Sequence, residues 1–292
     1  MLFAKTIAGP ESRWRSYSPI ALVAIFGLAV TWFLYRAVAD WERQRVNIAF
    51  RAAASDRVLV IQREFAYTLG VVQDIGSFID ASPSTGRREF RKFVGPALKR
   101  FDSIEALEWI PVIAAEQRTA FEEEARRSFP RFRINERSAA GVLVPAEKRP
   151  LHFPVLYVQP YQLKKDSLGL DLASDTTVLR SLLEARDLGK IMVSSPVWLE
   201  RKGVGEFGFA AQLPVYDKEP ADEAHDHDED SIVDAVELRP QMLRGFARGI
   251  FRIGDVVERA LENLSPSGID MIIYNISAGT GRQYLYYHAS RK

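Results

Sequence analysis

Residues 104–112 read IEALEWIPV, a stretch in which apolar and aromatic side chains partly alternate with polar ones. This alternation is typical of a β-strand with one buried face. Residues 115–128 (AEQRTAFEEEARRS) are highly charged and contain no proline, which favours a helix, and residues 132–134 begin a further strand. Helices and short strands therefore interleave, as they do in α+β domains with antiparallel sheets.

The same interleaving continues toward the C-terminus. We predict strands over residues 153–158, 207–216, 249–253, 269–276 and 282–288, and helices over residues 176–188 and 254–264. Gly189 follows the first of these helices, in a position where glycine readily ends a helix. The pattern predicts the α+β fold class.

Upstream lies a charge-free run, residues 16–35 (SYSPIALVAIFGLAVTWFLY). As a helix it is long enough to cross about 30 Å of hydrocarbon, and Trp32 and Tyr35 lie where aromatic rings favour the headgroup boundary. The alternative is a cleaved signal peptide, but the apolar core exceeds the roughly 7–15 residues of a signal core and no small-x-small site follows it. We therefore predict a transmembrane helix over residues 16–36.

After this span, residues 37–81 repeat apolar side chains every three to four positions, and no proline occurs before Pro83. This pattern predicts a long amphipathic stalk helix that continues from the membrane. Its apolar face either packs only on its own domain or also pairs with a second copy, and a homodimer through the stalk is the assembly that we predict. Basic residues flank the span on both sides, so charge does not decide its orientation.

Composition limits the classes of function. The 292 residues are 47% hydrophobic with a formal net charge of +1, which predicts a folded chain and no nucleic-acid partner. The absence of cysteine excludes disulfides, thiolate metal sites and cysteine nucleophiles. Because the sequence has no Gly-x-Ser-x-Gly elbow, Walker loop, His-Glu-x-x-His motif or dinucleotide fingerprint, we predict no catalytic residue and no cofactor.

One cluster has the residue types of a metal site, the run HDHDED at residues 225–230. Alternating imidazoles and carboxylates can take up zinc or nickel loosely. The run lies within residues 217–237, which are rich in Asp, Glu, Ala and Pro, and this composition favours a solvated acidic loop. We therefore predict no metal site.

Several spaced motifs carry a resemblance to a known family. They are EWIPV at 108–112 followed by Arg118 and Phe121, FPVLYVQP at 153–160, LGLDLAS at 168–174, ARDLGK at 185–190, SSP at 194–196, LPVY at 213–216 and LRGFARGIF at 243–251. In this order and spacing, across about residues 85–255, the chain resembles the CHASE domain, which lies outside the membrane in receptor histidine kinases and nucleotide cyclases. The residue types are similar to those of its bacterial branch.

The resemblance implies a domain organisation. It comprises a cytoplasmic tail (1–15), the transmembrane helix (16–36), the stalk helix (37–81), a membrane-distal PAS-like half (82–235) with the acidic loop (217–237), and a membrane-proximal PAS-like half (236–292) that is incomplete in this chain. With the sequence pattern, this gives an α+β fold in which a transmembrane helix continues into a stalk helix that carries two PAS-like halves with antiparallel sheets.

The resemblance also implies a function. The folded part is expected on the periplasmic or extracellular side of the inner (plasma) membrane, where its distal half binds a small molecule. The stalk is expected to pass the signal to a cytoplasmic histidine kinase or diguanylate cyclase module, as in a two-component system, and this module is absent from this chain. The alternatives are a membrane-tethered enzyme with an unrecognised site and a structural stalk protein without a ligand.

Five residues are predicted to bind the ligand, and they are Tyr157, Asp171, Ser194, Trp198 and Phe209. We expect a mostly apolar pocket between the strands at 153–158 and 207–216. The Asp171 carboxylate either contacts the ligand or caps the turn before residue 174, because a buried charge needs partners. The three aromatic residues are equally compatible with a plain core.

The resemblance also narrows the ligand. In the plant cytokinin receptors of this family, an aspartate near the end of the strand at 153–158 holds the purine of the ligand. This chain has Gln159 and Pro160 there, which disfavours a cytokinin. Ser194, in contrast, aligns with a hydroxyl residue near that pocket.

Overall fold

The computed structural model of the protein describes residues 11–82, 85–201, 203–217, 242–276 and 282–290. Contacts divide the chain into two units, residues 1–56 and residues 57–292, and helix α1 (Glu11–Ala81) contributes to both. The acidic run at residues 225–230 lies outside the described residues, and so does nearly all of the predicted loop around it.

In the first unit, α1 is the one helix among the described residues that is long and apolar enough to cross a membrane. Its most apolar 18 residues have a mean hydropathy of 1.9, and the protein buries none of them. The side chain of Thr31 donates a hydrogen bond to the Gly27 carbonyl (2.8 Å), and the Arg36 guanidinium lies 5.2 Å from the Trp32 ring. The helix continues without a break to Ala81, as the periodicity predicts.

The second unit contains the remaining described elements. Its helices are α2 (Arg87–Arg100), α3 (Arg118–Ser128), α4 (Thr176–Leu188) and α5 (Ile253–Leu261). Its strands are β1 (Ile104–Pro111), β2 (Ile113–Ala114), β3 (Asn135–Arg137), β4 (Leu143–Pro145), β5 (Leu151–His152), β6 (Tyr157–Gln159), β7 (Met192–Val193), β8 (Val197–Arg201), β9 (Val204–Tyr216), β10 (Leu243–Arg252), β11 (Met271–Asn275) and β12 (Gln283–His288). All named strand pairs are antiparallel, so the predicted α+β class is confirmed.

Local sequence signals set the ends of α4. The Asp175 carboxylate accepts hydrogen bonds from the backbone N–H groups of Thr177 (2.8 Å) and Val178 (3.1 Å), which caps the helix N-terminus. At the other end Gly189 adopts a φ of 61°, a left-handed conformation that costs glycine little. The predicted helix over residues 176–188 is therefore confirmed.

The described strands include a six-stranded sheet in the order β6-β1-β10-β9-β7, with β8 also paired to β9. Strand β10 lies at its centre, between β1 and β9. Smaller two-stranded sheets are formed by β11 with β12, β2 with β5, and β3 with β4.

One face of the six-stranded sheet packs on α1 and α2. Val72, Ile75 and Ile79 of α1 are almost fully buried against alternate residues of β1, β9 and β10. A glycine makes part of this approach possible, because a Cβ on Gly249 would lie 2.9 Å from the Val72 side chain and closer still to the Phe251 ring. The opposite face of the sheet packs on α4, and we call the buried side chains between them the α4 layer.

Residues 153–156 differ from the predicted strand over 153–158. Their backbone pairs with the segment before α4, since Val155 N–H donates to the Leu170 carbonyl (3.0 Å) and Gly169 N–H donates to the Val155 carbonyl (2.8 Å). Only Tyr157–Gln159 joins the sheet, beside β1. The alternation of residue types reports burial, and it does not report which segment supplies the hydrogen bonds.

The C-terminal elements α5, β11 and β12 pack together beside the large sheet, with Met271, Ile273 and Leu285 partly buried in the same core as α1. Strand β10 precedes them, although the predicted boundary at residue 236 assigns it to the second half. In the structure β10 pairs with β1 and β9 and so belongs to the large sheet.

Candidate ligand-binding site

Three polar side chains cross the middle of the α4 layer. Glu108 of β1 lies directly opposite Arg248 of β10, and Arg248 lies directly opposite Gln212 of β9. The three residues are 1%, 7% and 1% exposed. We call Glu108, Arg248 and Gln212 the polar row.

The alternation of side chains along each strand places this row in an apolar layer. Residues two positions away point to the same face, and in β1 and β10 these include Ala106, Ile110 and Phe246, all of them fully buried. Leu182 and Ala185 of α4 cover them and are also fully buried. The polar row therefore interrupts a buried apolar layer.

The hydrogen bonds of the row are incomplete. Arg248 Nη1 donates to Glu108 Oε2 at 3.0 Å, and Gln212 Nε2 donates to Ser181 Oγ of α4. Two buried atoms, Arg248 Nε and Gln212 Oε1, have no hydrogen-bond partner in the described part of the chain. An unsatisfied buried polar group costs about 1–3 kcal/mol, and such groups are rare in native proteins.

The charges in the row balance. Arg248 forms a buried ion pair with Glu108, and Gln212 is neutral, so the row carries no net charge. What it offers is one donor and one acceptor, side by side, in surroundings of low dielectric. Hydrogen bonds formed there are stronger than in water. The row can therefore bind and orient a polar group, whereas nothing in it provides a nucleophile beside a base.

Asp171 lies at the edge of the same layer, where it begins the turn that leads into α4. Its carboxylate accepts hydrogen bonds from Phe153 N–H (2.8 Å) and Ala173 N–H (3.1 Å), and it lies 2.7 Å from His152 Nδ1. Arg149 approaches to 3.6 Å. The carboxylate is thus bound by its own chain and caps the turn before residue 174, the structural role considered for it.

Two of the five predicted ligand residues, Ser194 and Phe209, line one cleft. This hairpin cleft, with a volume of ≈ 560 Å³, lies between the large sheet and β11–β12 and is lined by Phe65, Val193, Ser194, Ser195, Pro196, Phe209, Ile253, Ile273, Tyr274, Asn275, Ile276, Gln283 and Leu285. Ser194 Oγ donates to the Ser195 carbonyl (2.8 Å) and accepts from Ala210 N–H (3.2 Å), so its hydroxyl is engaged within the protein.

Tyr157 and Trp198 lie away from this cleft. Tyr157 packs against Phe90 and Phe129 and donates its hydroxyl proton to the Thr85 carbonyl (3.1 Å). Burial and the charge of nearby glutamates raise its pKa above the usual range. Trp198 is 60% exposed and lies edge-on to Phe207.

The structure therefore does not assemble the five predicted residues into one pocket. Strands β1 and β10 lie between β6 and β9, the two strands between which the sequence predicts the pocket.

A second polar network lies where the large sheet meets α5. The buried Arg252 guanidinium binds Asp255 (2.5 Å), Glu105 and the Asp102 carbonyl, and Lys164 also binds Glu105. Burial alone would raise the pKa of Glu105, but the hydrogen bonds and charges of Lys164 and Arg252 outweigh it, so the pKa lies below its usual value.

Sequence reasoning missed the polar row, although each member leaves a signal. Glu108 and Arg248 are charged residues within otherwise apolar strand segments, and Gln212 interrupts the apolar end of β9. A charge inside a strand pattern normally marks a solvent-facing position. These three positions are internal because α4 and the segments around Phe153 and Leu172 cover this face of the sheet.

A family model described as the CHASE domain matches residues 83–286. A search of the curated proteins finds no match. Among solved structures, the chain is similar to the periplasmic sensory domain of the Campylobacter jejuni chemoreceptor Tlp1, with 10% sequence identity and a TM-score of 0.36, over 74% of this chain and 63% of that one. The chain thus spans less than two thirds of that structure.

Proposed function

The chain belongs to the CHASE domain family, whose members are extracytoplasmic sensory domains, and from this premise we propose that its folded part binds a small molecule in the α4 layer and signals through α1. The polar row carries the proposal. It leaves a buried donor and a buried acceptor without partners, on residues from two neighbouring strands. Groups of this kind are costly for stability alone, so each needs an explanation, and a bound ligand that completes them supplies one.

The same strands connect the row to α1. In β10, Gly249 follows Arg248 and faces Val72 of α1. In β9, Leu213 follows Gln212 and faces Gly76 of α1. A Cβ added to Gly76 would lie 2.7 Å from the Leu213 side chain. Successive residues of a strand point to opposite faces. A ligand that moves β9 or β10 therefore acts on α1 through direct contacts.

Such a signal requires the ligand to favour one arrangement of α1 over another. A ligand with equal affinity for both arrangements shifts nothing. A coupling free energy on the order of 1–3 kcal/mol is typical of allosteric proteins and is sufficient for a helix poised between two packings.

We place the chain in the inner (plasma) membrane, with one span near its N-terminus and the folded part in the periplasm or outside the cell. The apolar, unburied segment of α1 supports the span. A homodimer through α1 is supported by apolar residues that the single chain leaves exposed on this helix, which are Val46, Ile48, Phe50, Val58, Leu59 and Tyr67. The output module is a histidine kinase or a diguanylate cyclase.

We assign no catalytic activity to the domain. The row lacks a nucleophile beside a general base, and among the described residues no group of three or more His, Asp or Glu side chains is placed to hold a metal ion. The domain boundary that we propose lies after Arg252, so that β10 stays with the distal half.

A thermal-shift screen of metabolites against the full chain in detergent micelles tests this function. Binding that depends on the row should be lost in Gln212→Leu and kept in Ser194→Ala, which alters the hairpin cleft, and in Tyr157→Ala. Loss in Ser194→Ala alone would move the site to the hairpin cleft. A ligand that stabilises all of these proteins equally would refute both locations.

A further inference from the structure

The atoms left without partners in the polar row define the kind of group that fits them. We propose that the ligand is a neutral molecule with a ring amide, in which a carbonyl oxygen and an N–H lie on one edge. This proposal rests on the proposed function. The carbonyl accepts from Arg248 Nε–H, and the N–H donates to Gln212 Oε1.

Hydrogen-bond polarity is the first reason. Arg248 Nε only donates, and a Gln Oε1 only accepts, and both atoms lack a partner in the described residues. Of the other polar groups of these side chains, Nη1 of Arg248 binds Glu108 and Nε2 of Gln212 binds Ser181. The row thus presents a donor and an acceptor, and its complement is an acceptor next to a donor.

Spacing is the second reason. Arg248 and Gln212 are direct partners on neighbouring antiparallel strands, and such partners have Cβ atoms about 4.5–5.5 Å apart. Their two free atoms therefore call for groups close together on the ligand. An open-chain trans amide directs its C=O and N–H to opposite sides, whereas a ring holds them on the same side. Lactams, cyclic imides and the amide edges of heterocycles have this arrangement.

Charge is the third reason. Glu108 already neutralises Arg248 at 3.0 Å, with side chains 2% and 8% exposed. A carboxylate ligand would add an uncompensated negative charge to this layer, and an ammonium ligand would add a positive one. Burying an unpaired charge is costly. A neutral amide satisfies both free atoms and leaves the ion pair intact.

Isothermal titration of the full chain in detergent micelles tests the ligand class. The probes are δ-valerolactam and uracil, with N-methyl-δ-valerolactam as the matched control that lacks the N–H donor, and acetate and methylammonium as charged controls. We expect the two ring amides to bind and the N-methyl analogue to bind at least tenfold more weakly.

Variants separate the two contacts. Arg248→Lys keeps a charge beside Glu108 and removes the Nε–H, and Gln212→Leu removes the acceptor, so each should abolish binding of the ring amides. Ser194→Ala in the hairpin cleft should leave it unchanged. Circular dichroism of each variant is the control that tests whether the fold is kept.

The outcomes distinguish the ligand class from the proposed function. Equal binding of δ-valerolactam and its N-methyl analogue overturns the ring-amide inference. If acetate or methylammonium binds instead and Arg248→Lys abolishes that binding, the class is wrong and the site in the α4 layer stands. If no probe binds and a metabolite found in the screen binds Arg248→Lys and Gln212→Leu as it binds wild type, both the class and the site fall, and the free atoms then bind only buried water.

Discussion

The ion pair of the polar row gives a quantitative prediction for stability. Replacing Arg248 with Met leaves the Glu108 carboxylate, 1% exposed, without its cationic partner. Replacing Glu108 with Leu leaves the Arg248 guanidinium equally isolated. Removing one member of a buried pair costs about 3–5 kcal/mol, whereas replacing both with apolar residues of similar volume is often neutral or stabilising.

These free energies translate into melting temperatures. The second unit spans residues 57–292, and for domains of this size 1 kcal/mol shifts the melting temperature by about 2–4 °C. Each single variant should therefore melt about 6–20 °C below wild type. The double variant should melt well above either single variant, because no uncompensated charge remains.

The assay is thermal and urea unfolding of the full chain in detergent micelles, followed by far-ultraviolet circular dichroism, for the four proteins of the double-mutant cycle. Arg127→Met is the matched control, because Arg127 pairs with Glu124 on the surface, with side chains 78% and 66% exposed. Such a pair contributes about 0–1 kcal/mol. If the losses of the single variants simply add in the double variant, Glu108 and Arg248 do not interact, and the derivation of the neutral row is refuted.

Three further predictions concern packing, pH and topology. Gly249→Ala should lower the free energy of unfolding by about 1–3 kcal/mol, because the added Cβ would meet the Phe251 ring and the Val72 side chain. Gly95→Ala is the control and should not lower it, because Gly95 has open space around it. Urea unfolding measures both variants. Because the pKa of Glu105 is lower in the folded state, its carboxylate stabilises the fold above about pH 4.3 and this stabilisation is lost as the pH falls through the folded pKa. Glu105→Gln should then be less stable than wild type at pH 7, and the difference should shrink as the pH falls through the folded pKa. A difference in stability that stays constant over this acid titration would contradict the assignment. Alkaline phosphatase fused after Lys292 should be active, and activity of a reporter that works only in the cytoplasm would reverse the proposed orientation.

Some structural elements depend mainly on residues that are close together in the chain, and the sequence alone predicted these elements. The periodicity of residues 37–81 predicted a continuous helix, and α1 extends through them. Gly189 predicted the end of α4, because a left-handed residue there follows from backbone conformation alone. The α+β class followed in the same way from alternating patterns, and the spaced motifs predicted the family, which the match over residues 83–286 confirms.

The site depended on contacts between distant segments. Glu108 and Arg248 are 140 positions apart and meet only because β10 enters the sheet beside β1. The same strand order separates β6 from β9, which the alternating patterns alone do not show. Side-chain alternation assigns a residue to one of two faces, but it does not say which face another element will cover. Helix α4 covers the face with the polar row, and this tertiary contact turned three polar residues of surface type into a buried candidate site.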